Sequence, residues 1–283
     1  MRVAVTGHVE WIEFARVDHV PAPGEIVQAE ETWEEPGGGG AVAAVQLARL
    51  NGECVFYTVL GDDELGRRSL ERLTELGVSV RAEKTVRPTR RGFVFVDAVG
   101  ERTITVLGEK LRPSRVRPED LIGHDAVLFI SGDAEALLAA RRARTLVAVT
   151  RELPTLRQGA VELDALVGSG EDDGERYHPG DLEPPPKLVV TTSGSLGGWT
   201  QPGGPYRAAP LPGPVSDAYG CGDSFTAALT FALARGDEPA EAVALAARCG
   251  AAVMTGRGPY ERQLTGAEIC RTAQLTSVRI RNR

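Results

Sequence analysis

The sequence predicts an α/β fold in which a mostly parallel central sheet lies between two layers of helices. Short β-branched runs alternate with segments of helical period, the order expected when crossover helices join parallel strands. Those runs are apolar almost throughout, as strands covered on both faces must be. Carboxylates and glycines punctuate the helical segments.

The elements follow in chain order. Residues 2–7 (RVAVTG) read as the opening strand, and residues 41–50 as a helix placed directly after four glycines. CVFYTVLG at 54–61 is the next strand, and a helix opened by Asp62 runs to Gly77. Between 91 and 107 the rhythm changes: GFVFVD and RTITVL flank AVGE with a period of two residues, the pattern of an antiparallel hairpin. Over 85–108 this hairpin is inserted in the α/β order, either as an edge hairpin of the main sheet or as a flap over a site. Strands are predicted again at 126–131, 146–150, 163–169 and 187–193, and helices at 221–234 and 239–255. The Gly-, Asp-, Glu- and Pro-rich stretch 169–186 reads as an exposed loop. Residues 1–283 are expected to form a single domain, a three-layer sandwich.

Composition narrows the function. With 32 Lys+Arg against 39 Asp+Glu the chain carries a net charge of −7, which repels phosphate backbones and argues against nucleic acid as a partner. No apolar run approaches the ~18 residues that span a bilayer, and residues 1–14 lack the apolar core of a signal peptide, so no membrane partner and a cytoplasmic location are expected. Cys54, Cys221, Cys249 and Cys270 show neither a CxxC pair nor zinc spacing. Lysine is confined to Lys84, Lys110 and Lys187, the other positive charges being Arg. GxxxxGK[ST], GxGxxG after the first strand, GxSxG and HExxH are all missing.

The chemistry concentrates in glycine-rich helix starts. Ser216-Asp217-Ala218-Tyr219-Gly220-Cys221-Gly222-Asp223-Ser224-Phe225 feeds directly into a helix. Gly220 and Gly222 leave the first turn bare, so its free N–H groups can cradle an anion. Asp223 beside them can take a proton from an attacking hydroxyl. It reads equally as an N-terminal carboxylate that stabilises the helix dipole. Gly37-Gly38-Gly39-Gly40 opens a second helix, and Thr192-Ser193-Gly194-Ser195-Leu196-Gly197 ends a predicted strand, where ligands of open α/β sheets collect.

Taken in order over nearly the whole chain, these segments resemble the ribokinase family of carbohydrate and nucleoside kinases. GGGGAVAAV stands where the family has GG-x-G-x-N-x-A, and DAYGCGDSF where it has D-T-x-G-A-G-D-x-F. The resemblance implies a ribokinase-like fold and an ATP- and Mg²⁺-dependent kinase acting on a hydroxyl of a sugar or sugar-like molecule. The alternatives are a nucleoside kinase or a non-catalytic ligand sensor on the same fold. It further implies Asp223 as general base, the amides of Gly220, Cys221 and Gly222 as anion hole, and Thr192, Gly194 and Gly197 beside the nucleotide. Gly38 and Gly39 would face the sugar, Asp217 would neighbour a monovalent cation, and the hairpin would serve as lid and homodimer contact.

The chain departs from the family at several positions. Val42 replaces the sugar-holding Asn, and Ile12 stands at the place of the early Asp, with Glu10 and Glu13 the nearest acids. The family's N-x-x-E aligns with Ser169-Gly170-Glu171-Asp172, which leaves Asp172 as the expected carboxylate near magnesium, acting through water.

Overall fold

The computed structural model describes residues 1–271; residues 272–283, the end of the expected domain, lie outside the described residues. In chain order the elements are β1 (Val3–Thr6), β2 (Glu10–Arg16), β3 (Glu31–Gly37), α1 (Gly39–Asn51), β4 (Cys54–Gly61), α2 (Glu64–Glu75), β5 (Val78–Thr85), β6 (Arg91–Val96), β7 (Arg102–Leu107), α3 (Pro118–Leu121), β8 (Ala126–Phe129), α4 (Ala134–Ala140), β9 (Thr145–Val149), α5 (Leu153–Gly159), β10 (Ala165–Ser169), β11 (Val189–Thr192), β12 (Gly198–Gln201), β13 (Gly204–Tyr206), α6 (Cys221–Arg235) and α7 (Pro239–Val253). They build a nine-stranded sheet in the order β13-β12-β11-β10-β9-β8-β1-β4-β5 and a four-stranded one in the order β3-β2-β6-β7. From β11 to β5 the large sheet is parallel, and β12 and β13 continue it as an antiparallel edge.

Period-two alternation divides the large sheet between two cores. Val5, Leu128 and Val147 enter the core that also holds Val42 of α1, Leu229 of α6 and Val243 of α7. Their neighbours Ala4, Val127 and Leu146 enter the other, with Leu137 of α4 and Leu156 of α5. Both faces are therefore covered, which is why these strands are apolar almost throughout. From β1 the order runs through β4 to β5 on one side and from β8 through β9 to β10 on the other, so the sheet reverses its winding between β1 and β8. A crevice opens there, beyond the carboxyl ends of the strands. His8, just after β1, and Ser131, just after β8, meet across it with Nδ1 and Oγ 3.3 Å apart.

The small sheet contains the expected hairpin as β6 and β7, but the hairpin is only half of it. β6 pairs in parallel with β2, which pairs antiparallel with β3, so residues 10–37 supply the other half. Val94 and Val96 of β6 are fully buried, and β7 at the outer edge is exposed along its whole length. Two tryptophans join this sheet to the large body. Trp33 stacks on Phe14 at 4.8 Å with Arg257 5.4 Å from its ring, and Arg68 of α2 lies 4.2 Å from the ring of Trp11. The cap of α2 is Asp63, one residue later than the sequence predicts, with its carboxylate accepting from the Gly66 N–H at 2.8 Å. The same carboxylate accepts from the Thr89 N–H and hydroxyl, both at 2.7 Å, and so fixes the segment that enters β6. No helix among the described residues is long and apolar enough to cross a membrane.

Candidate active site

The start of α6 is shaped by glycine. Gly220 sits at φ 80°, where a side chain is strained, and a Cβ there would come within 2.9 Å of Pro259 and 3.0 Å of Val42. A Cβ on Gly222 would meet nothing within 4 Å, so the space before the first turn is open. Ser224 N–H closes the first helical bond onto the Gly220 carbonyl, which leaves the earlier N–H groups of the turn facing outward. Asp223 lies on this turn. Opposite it stands the start of α1, where a Cβ on Gly39 would fall 2.8 Å from Asp223 Oδ1. Two helix starts thus converge on one carboxylate, and only a glycine at 39 lets them. Gly38, at φ 83°, donates its N–H to the Tyr219 hydroxyl at 3.0 Å and ties the two turns together.

Asp223 faces a cleft of about 440 Å³ that is also lined by His8, Glu10, Gly39, Thr192, Gly220 and Gly222. Burial pushes its pKa up to about 6, Arg102 and Arg151 pull it down, and the carboxylates of Glu175 and Glu10 push it further up. A carboxylate poised there can hold a proton or release it near neutrality, which is what a general base requires. An adjoining pocket of about 340 Å³ contains Thr192, Gly194, Gly197 and Cys221, with an apolar wall from Leu211, Phe225, Ala247, Ala251 and Met254. Arg102 and Thr192 line both spaces and mark their junction. The space that ends at Asp223 carries most of the charged side chains, whereas the other is mainly apolar, the character of a slot that takes an apolar ring. A wider depression of about 760 Å³ near Tyr57 and Arg81 has no glycine among its lining residues and no helix start of this kind.

Several expected site residues lie elsewhere. Val42 is fully buried in the core of α1 and does not line the cleft; its carbonyl accepts from Gln263 Nε2 at 3.0 Å. Ile12 is likewise core, filling the space above Gly37 and Gly92. Glu13 alternates with Glu10 along β2, so it faces away from the cleft and pairs with Arg91. Asp172 also lies outside the cleft, its side chain 42% exposed and paired with Arg151 at 2.6 Å. Asp217 is buried with its two oxygens accepting the N–H groups of Tyr219 (2.8 Å) and Gly258 (3.0 Å), so it clamps the loop before α6 and lies outside both spaces. Burial raises its pKa, against those hydrogen bonds and the charges of Arg16 and Arg102.

Other residues that line the cleft lay outside the motifs. Asp172 Oδ1 accepts from the Gly174 N–H at 2.8 Å and turns the chain into a short 3₁₀ segment, which brings Glu175 back into the cleft. Glu175 accepts from the Ser169 N–H at 3.1 Å and pairs with Arg151 at 2.5 Å. Arg90, Arg102, Lys110 and Arg151 also line the cleft, with Glu10 paired to Arg90 at 3.0 Å. Of these cations only Lys110 has a sequence signal, as one of three lysines.

Comparison with known proteins gives a consistent pattern. The model of the pfkB family carbohydrate kinases matches residues 1–154 and 155–265. A ribokinase of Staphylococcus aureus is 30% identical over 131 residues, 45% of this chain, a match that spans about two fifths (42%) of that protein. An aminoimidazole riboside kinase of Salmonella typhimurium is 28% identical over 276 residues, covering 81% of this chain and 86% of that one. The structure of an Arabidopsis thaliana ribokinase complexed with ribose and ATP shares the fold at a TM-score of 0.72 and 20% identity, over 95% of this chain and 97% of the other.

Proposed function

The chain belongs to the pfkB family of carbohydrate kinases, and on that premise we propose that its cleft transfers the terminal phosphoryl group of ATP to a hydroxyl of a sugar or sugar-like molecule, with Asp223 as the base. The observation that carries this reading is the convergence of the bare starts of α1 and α6 on Asp223, at the junction of a polar cleft and an apolar pocket. The acceptor hydroxyl approaches Asp223 from the polar side. Asp223 takes its proton as the oxygen attacks, and the outward N–H groups of the Gly220–Asp223 turn stabilise the charge on the transferred group. Thr192 and Arg102 stand at the junction, where the phosphates cross, and the adenine base rests on the apolar wall that includes Phe225 and Met254.

The donor set suits Mg²⁺ held chiefly by the nucleotide. No cluster of three or more acidic, His or Cys side chains that could hold a metal occurs among the described residues, whereas Glu175 and Asp223 present hard oxygens to the cleft. When bound, Mg²⁺ neutralises part of the phosphate charge, and Glu175 in place of Asp172 would hold its waters. The small sheet forms the outer wall of the acceptor space through Ile104 and Val106 and acts as the lid. A second copy aligned along β7 would cover the exposed edge.

The test is ADP formation by the purified protein with Mg-ATP and a panel of sugars and nucleosides, with mass spectrometry of the phosphorylated product. Acceptor-dependent ADP and a matching phosphate ester are expected. A protein that binds these ligands yet produces no ADP with any of them would instead be a ligand sensor.

A further inference from the structure

The acceptor end of the cleft carries more positive charge than a neutral sugar can use. Arg90 and Lys110 line the acceptor cleft and not the nucleotide pocket, whereas Arg102 lines both. Arg151 is committed to Asp172 and Glu175. Among the described residues Arg90 has Glu10 as its one ionic partner, at 3.0 Å, and its buried Nε has no hydrogen-bond partner. Lys110 is bound more loosely still. Its nearest carboxylate is the buried Glu152, whose Oε1 lies 3.6 Å from Nζ, beyond hydrogen-bond reach, while Oε2 pairs with Arg112.

The setting of Lys110 is unusual for this chain. Lys84 and Lys187 have side chains 70% and 59% exposed, each with a carboxylate at 3.0 Å, whereas the Lys110 side chain is 23% exposed. Burial lowers the Lys110 pKa, with Arg112 and Arg90 adding repulsion against the attraction of Glu152 and Glu10. Burial also holds His8 well below the usual imidazole range, reinforced in turn by Lys110, Arg90, Arg112 and Arg151. Cations kept from water beside one another are costly until an anion completes them. Hydroxyl groups cannot supply that charge, and the ATP phosphates lie toward Arg102 and Thr192.

We propose that the acceptor carries an anionic group, a phosphate ester or a carboxylate, which docks on Arg90 and Lys110 while its free hydroxyl faces Asp223. His8, neutral beside them, is left to hydrogen-bond the sugar. The proposal rests on the kinase reading above for the orientation of the acceptor but not for its charge.

Matched pairs separate the two. Ribose is compared with ribose 1-phosphate, fructose with fructose 6-phosphate, and glucose with gluconate, each by calorimetric binding without nucleotide and by ADP formation with Mg-ATP. In at least one pair the charged member is expected to bind about 10- to 100-fold more tightly, as a charge-assisted contact of this kind provides. The pair that responds distinguishes phosphate from carboxylate. Lys110→Gln should cut that preference at least about tenfold, and Lys110→Arg, which keeps the charge, should restore most of it. Charged members that bind no better than their neutral partners, or equal preferences in Lys110→Gln and Lys110→Arg, would overturn the proposal. ADP formed with neutral acceptors alone would leave the kinase reading standing and remove this one. Lys110-dependent binding of a charged sugar without ADP would do the reverse.

Discussion

The two sheets meet at one cleft, but they are built for different tasks. The large sheet is covered on both faces, and its central residues, such as Leu128 and Val147, are fully buried. The small sheet grades from a buried strand, β2, to β7, exposed from end to end. The large sheet presents strand ends and the helix start that carries Asp223, and packing fixes their geometry. The small sheet presents Glu10, Ile104 and Val106 and ends in an unpaired edge. On the proposed function, chemistry is thus anchored where substitution is costly, and acceptor contact is placed where it is cheap. If that division holds, changes on the large-sheet side should alter catalysis or stability strongly, whereas changes along β7 should tune recognition.

The largest expected effect is that of Asp223→Asn. Loss of the base should lower kcat by about 10² to 10⁴, measured by ADP formation. The same change should stabilise the protein at high pH. The folded-state pKa of Asp223 is raised by burial to about 6, so its contribution to stability is complete below the unfolded value and is lost as pH rises through about 6. Asn removes that loss, and after allowance for partial exposure the gain at pH 8 should be about 1–2 kcal/mol, vanishing near pH 4. Urea unfolding at the two pH values checks it. In the wild type, kcat/KM should climb with pH through about 6 as Asp223 ionises.

Next comes the direct contrast between the sheets. Leu128→Ala should cost about 2–5 kcal/mol in urea unfolding. Val42→Asn should cost about 1–3 kcal/mol, because it buries an amide in the α1 core, and should leave the ranking of acceptors unchanged. A shift in that ranking would return position 42 to the pocket. Glu175→Gln should raise the magnesium concentration needed for half-maximal rate several-fold, about 1 kcal/mol in effect, and Asp172→Asn should move it less. The smallest effect belongs to the exposed strand: Val106→Ala should change stability by no more than about 0.5 kcal/mol while raising the acceptor KM. A cost matching that of Leu128→Ala would end the distinction between the two sheets.

What could be read from the sequence follows the same division. The α6 start is contiguous, so Gly220, Cys221, Gly222 and Asp223 could be read from one ten-residue segment, and the large-sheet strands from their unbroken apolar runs. The small sheet could not be assembled in this way, because the pairing of β2 with β6 joins residues about eighty positions apart and leaves no local trace. Alignment by spacing put the loop carboxylate at Asp172, since the 3₁₀ turn that follows it and brings Glu175 to the cleft cannot be read from an acidic stretch. Val42 shows the limit of motif transfer. The glycines before it do form the helix start, yet its side chain faces the core and not the cleft.

The arginines that sit over the small-sheet tryptophans also give the protein an optical readout. Trp11 lies under Arg68 of α2 and Trp33 under Arg257 beyond α7, cations of the large body, while Arg16 of the small sheet itself also lies 5.9 Å from the Trp33 ring. The third indole, Trp199, lies 55% exposed on β12 at the other end of the molecule. A rigid displacement of the small sheet would part Trp11 from Arg68 and Trp33 from Arg257, while Arg16 would travel with Trp33. Acceptor docking could therefore be followed by intrinsic emission in stopped flow, without a label, and Trp199→Phe would remove the constant background.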